Sequence, residues 1–185
     1  TMNIEQLLDR YLQLSEVKRP GYIESLGHPE PDSTQQLELA AGTPLAPLLV
    51  CIYNKVSGTP RQCKREGLID FLPGFRLPHL REWPAAYEAF KLVHGEQWLP
   101  LLLDGDKGYY AINRETDEVA ISFLDEFAFI DTVSLNALNF LQTLVANYER
   151  KVYSVDRYGL LDYDERREGE VAREINPDVD YWMEE

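Results

Sequence analysis

Cysteine is scarce in this chain. There are two among 185 residues: Cys51 on an apolar stretch and Cys63 inside the basic run RQCKRE. They form no CxxC pair, which argues against a structural zinc site and against a secreted disulfide scaffold. Cys51 reads as a small buried hydrophobe. Cys63 has the cationic neighbours Arg61, Lys64 and Arg65 that lower a thiol pKa, but no base accompanies it. Histidine is equally thin. His28, His79 and His94 lie far apart, and none has a second histidine or a cysteine at helical spacing. The sequences GxSxG, HExxH, GxxxxGK[ST] and GxGxxG do not occur. No catalytic residue, metal site or cofactor is therefore expected.

Long apolar runs are also missing. The longest, about Leu45 to Tyr53, is broken by Pro47 and falls well short of the roughly 20 residues that span a bilayer. The N-terminal MNIEQLLDRYL is acidic and amphipathic rather than signal-like, so a cytoplasmic location with no membrane contact is expected. Positive charge is in deficit: 18 Lys and Arg against 32 Asp and Glu, a net charge of -14. Such a surface repels nucleic acid and anionic lipid. It keeps the chain soluble, or it attracts basic partners. The single basic cluster, Arg61 with Lys64 and Arg65, lacks the interleaved aromatics of a nucleic-acid reader.

What is present is an ordinary globular balance, 44% hydrophobic and 27% charged residues. Ile4, Leu7, Leu8, Tyr11 and Leu12 keep the helical period after Asn3, a good N-cap. Residues 15–33 are rich in Pro and Gly and read as a loop with one helical turn near Tyr22 to Leu26. Gln35 to Ala41 and LAPLLVCIYNKVSG are further helix candidates, the second closed by Gly58. PGFRLPHL predicts a short extended segment. Trp83 to Val93 predicts a helix with Pro84 in its first turn. WLPLLLD, GYYAIN and EVAISF predict a strand meander, with another strand near Ala128 to Ile130. The clearest periodicity spans 133–149, where Leu138, Leu141, Val145 and Tyr148 form a stripe that needs a partner sheet. Asn136, Asn139, Gln142 and Asn147 stand on the expected polar face.

The bend DGDKG, Asp104 to Gly108, admits three readings. Asp104, Asp106 and Glu115 fall at positions 1, 3 and 12 of a calcium loop. Gly108 at position 5 has no side-chain oxygen, however, and Tyr109 occupies the position that demands glycine. A phosphate cradle fails because two aspartates repel the anion. A hairpin turn suits every residue, with Gly105 and Gly108 free to take positive φ. The aspartates then matter as charge held out to solvent.

The stretch WLPLLLDGDKGYYAIN, with its Trp-x-Pro strand (Trp98, Pro100), its bend at Asp104 and Gly105, and its aromatic strand Tyr109–Ile112, resembles the SUKH superfamily. That superfamily includes a cell-wall-assembly regulator and many bacterial toxin-immunity proteins. PLAPLLVCIYNKVSG, PGFRLPHLREW and SFLDEF, Ser122 to Phe127, extend the likeness over roughly 44–148. The resemblance implies an α+β fold with a mainly antiparallel sheet and helices packed against it. One domain is expected, with a helical extension at 1–43, a SUKH-like core at 44–155 and an acidic extension at 156–185. Half of the excess negative charge lies in that last part.

The resemblance further implies binding rather than catalysis: an immunity protein that neutralises a basic toxin domain of nuclease type, or a regulatory scaffold domain. The residues singled out for partner contact are Trp98, Asp104, Asp106, Tyr110 and Trp182. Tyr181 and Trp182 either anchor the terminus or belong to a partner surface, where Trp and Tyr are common.

Overall fold

The computed structural model describes residues 1–125 and 128–183. Part of the SFLDEF likeness, at 126–127, lies outside the described residues. The chain forms an α+β fold. Helices α1 (Ile4–Lys18), α2 (Tyr22–Ser25), α3 (Ser33–Ala41), α4 (Pro47–Lys55) and α5 (Trp83–His94) precede the sheet. Strands β1 (Trp98–Leu103), β2 (Gly108–Asn113), β3 (Val119–Phe123) and β4 (Phe129–Ser134) form an antiparallel meander in that order. Helix α6 (Ala137–Glu149), a hairpin of β5 (Tyr153–Val155) and β6 (Leu161–Tyr163), and α7 (Glu165–Ile175) follow. A 3-10 turn at Asp180–Trp182 comes last.

The sheet lies between helices, and its alternation decides which side chain meets which. Tyr109 faces α5, where Phe90 packs on it at 4.9 Å. Tyr110 faces the other way, between Phe75 at 4.7 Å and Phe140 of α6 at 5.8 Å. Helix α5 is pinned at its start by Trp83, which is fully buried. Its indole Nε1 donates to Pro100 O at 2.8 Å, and its ring stacks on Tyr87. The first helix is integral to the core. Its Tyr11 ring sits 5.2 Å from that of Tyr148 on α6, and Ser15 Oγ donates to Tyr148 OH at 3.0 Å.

Several expectations change at the level of single residues. Pro47 opens α4 at its first helical position, where its missing N–H costs nothing. Gly58 does not close that helix, which ends at Lys55. Its φ of +98° and a would-be Cβ 2.3 Å from Pro78 O show a backbone crossing instead. Residues 133–134 belong to β4, and α6 begins at Ala137 with Asn136 as its N-cap. Asn147 is 1% exposed rather than on a polar face, because α1 and α7 cover the flanks of α6 that a lone amphipathic helix would leave wet. The β5–β6 hairpin had no clear sequence signal, since three-residue strands are too short to show a period.

Candidate functional site

The DGDKG bend is a turn between β1 and β2, held by one side chain. Asp104 Oδ1 accepts from Asp106 N at 2.7 Å and from Gly108 N at 2.8 Å. Neither glycine takes positive φ. Gly108 is required for space instead: a Cβ there would lie 2.1 Å from Asp104 Oδ2. Asp104 is thus spent on the loop, while Asp106 is exposed. Asp104→Ala is expected to cost about 1–2 kcal/mol by stranding loop amides, against under ~0.5 kcal/mol for Asp106→Ala at an exposed position. Urea denaturation of the two variants checks this, and equal costs would refute the assignment.

Between this turn and α5 lies an open groove of ≈ 680 Å³. Its floor is Ala85, Ala86 and Ala89 of α5 with Leu103 and Tyr109. The segment at Arg76 adds to the outer edge of β1, with Arg76 N donating to Leu103 O at 2.8 Å and Leu103 N to Arg76 O at 3.0 Å. Arg76 forms a two-pronged ion pair with Glu82, 2.8 and 2.6 Å. That pairing holds the Glu82 carboxyl below its ordinary range.

A second region collects two of the singled-out aromatics. Tyr110 and Trp182 line one small cavity of ≈ 20 Å³ with Phe140, Asn147, Tyr153 and Glu168. Trp182 Nε1 donates to Val133 O at 2.8 Å, and Arg173 Nη1 donates to Trp182 O at 3.1 Å. Trp182 therefore anchors the C-terminal segment over β4, and Tyr110, half-buried, lines the same cavity. Burial pushes the Tyr110 phenol well up. Burial, with Glu165 adding like charge, pushes the Glu168 carboxyl to about 7. Trp98 starts β1, half-buried, at the opposite end of that strand from Asp104.

The third region is the outer edge of the sheet at β4. A concavity of ≈ 490 Å³ there carries Glu118, Asp131, Asp178 and Asp180, and among the described residues no cationic one lines it. Leu135 and Tyr181 line it too, 44% and 45% exposed. No single stretch of sequence announces this site. It is assembled from the β3 entry, β4 and the C-terminal turn, so only the general acidity of the tail hinted at it.

One pair resembles catalytic machinery. His94 Nε2 and Ser122 Oγ are 2.8 Å apart. Ser122 Oγ also donates to Phe129 O at 2.6 Å. Its only proton is committed to that carbonyl, so it accepts from the imidazole and cannot hand a proton to it. Desolvation lowers the His94 pKa, consistent with a neutral ring tying α5 to β3.

Among the described residues no three His, Cys, Asp or Glu side chains gather in a metal-binding arrangement, and no helix is long and apolar enough to cross a membrane. Comparison with known proteins finds no matching family model and no matching curated protein.

Proposed function

We propose that this chain is a non-enzymatic protein-binding protein of immunity type, acting in the cytoplasm on a basic, nuclease-type toxin domain. The observation that carries the reading is the β4 concavity, with four carboxylates, no lining cation among the described residues and two half-exposed apolar side chains. A basic surface meeting it gains association rate from complementary potential and burial from Leu135 and Tyr181. The SUKH-like pattern around Trp98 to Ile112 supports binding over catalysis. The experiment is co-purification from the native host followed by association kinetics. Raising salt is expected to slow association at least about tenfold, and so is the double change Asp131→Lys with Asp180→Lys. Association indifferent to both would sink the electrostatic reading.

A regulatory scaffold domain is the second reading, favoured by the groove beside α5, whose lining is charge-balanced rather than acidic. A gene for a large secreted protein immediately adjacent would favour immunity. Several unrelated cellular partners in the co-purification would favour the scaffold.

A further inference from the structure

The groove between α5 and the β1–β2 turn differs from the rest of this acidic molecule. Its lining carries as many arginines as carboxylates, three of each, in a chain of net charge -14. Two of the three carboxylates are committed, Glu82 to Arg76 and Asp104 to its own loop amides, while Asp106 stands exposed on the turn itself. The cations on the lip are freer. Arg61 is exposed and close enough for its charge to act on Glu82, but no direct ion pair engages it among the described residues. The Arg81 side chain is 80% exposed and meets Glu30 only at 3.3 Å. His79 lines the groove as well, and its Nδ1 accepts from Arg81 N. Lys64 and Arg65 continue the same exposed loop.

The floor is apolar because α5 places small residues there. It does not stop at the groove. Ala85, Ala89, Leu92 and Val93 recur at helical spacing on the outer face of α5, and all four are exposed, Leu92 at 85% and Val93 at 49%. This uncovered stripe runs about 12 Å along the helix. A small molecule in the concavity would leave the Leu92–Val93 end bare, whereas a polypeptide segment covers both.

We propose that this groove is a second docking site, which takes a partner segment bearing apolar side chains flanked by carboxylates. The apolar side chains seat between Ala85, Ala89 and Tyr109, and continue over Leu92. The carboxylates meet Arg61 and Arg81, where charge-assisted bonds fix the register. The site does not depend on the β4 edge, since the chemistry it selects is opposite in sign.

The test is selection of a displayed random-peptide library against the whole protein, with affinities of the selected peptides measured for three variants. Enriched peptides are expected to combine acidic and large apolar residues. Arg61→Glu with Arg81→Glu should weaken them about tenfold or more, and Ala89→Arg should abolish them. Asp131→Lys with Asp180→Lys should leave them unchanged or bind them slightly tighter. Unchanged melting temperatures establish that the variants fold. Enrichment of basic peptides, or binding indifferent to both groove changes, overturns the proposal. So does a groove whose NMR resonances move with small carboxylic acids while no peptide is enriched. Loss of peptide binding in the β4-edge variant alone would move the site there and overturn it as well.

Discussion

Replacing Glu168 with glutamine makes the protein more stable at about pH 8, by on the order of 3 kcal/mol, and leaves it nearly unchanged at about pH 4. The side chain sits under α7 in the cavity shared with Tyr110, Asn147, Tyr153 and Trp182. Burial disfavours its charged form, and the like charge of Glu165 adds to that, so its pKa rises from 4.5 to about 7. The folded chain therefore holds a proton that the unfolded chain has released. The protonated carboxyl costs the fold nothing below pH 4.5. Stability then falls as pH rises from 4.5 through about 7, and above that range the fold carries a desolvated carboxylate. The phenols around it do not share this titration, because burial raises Tyr110, Tyr153, Tyr163 and Tyr181 alike. Glutamine keeps the shape and removes the charge. Thermal unfolding of both proteins across this pH range reads the effect as roughly 5–10 °C at the alkaline end. A difference that does not grow with pH would refute it.

Trp83→Ala is expected to be the most damaging single core change, costing about 3–5 kcal/mol. Three contacts fail together. The ring is fully buried, it stacks on Tyr87 with 5° between planes, and its Nε1–H bonds Pro100 O. Trp83→Phe separates the contributions: it retains most of the apolar volume but leaves Pro100 O without its donor, for about 1–3 kcal/mol. Because Trp83 fixes where α5 meets β1, the alanine variant should also lose the groove beside Tyr109. Denaturant unfolding measures the stability. An alanine variant within about 1 kcal/mol of the parent would show that α5 is held by other means.

The first three strands and the longer helices were legible because their periods are long enough to read. Trp98–Leu103, Gly108–Asn113 and Val119–Phe123 fall almost where alternation and turn residues put them. The boundary between β4 and α6 was not legible, since Val133, Leu135 and Leu138 suit either period and only the sheet pairing to Val119 decides. The candidate residues fared unevenly for a physical reason. A sequence shows that Asp104 is charged, but not that one of its oxygens already accepts from two amides of its own loop. It shows that Trp182 is large and lies in a charged tail, but not that Val133 waits for its indole. Both concavities join residues more than 25 positions apart, such as Arg61 with Ala89 and Glu118 with Asp180. Such neighbours appear only once the chain is folded.

The seating of α1 has a consequence for how the chain can be divided. Tyr11 and Ser15 both reach Tyr148, and Tyr11 OH also donates to Phe71 O, so the opening helix ties together two distant parts of the polypeptide. The sheet and α6 are thus not a portable cassette. Removing the N-terminal helix would leave a tyrosine-lined gap, so the two stretches stand or fall as one folding unit.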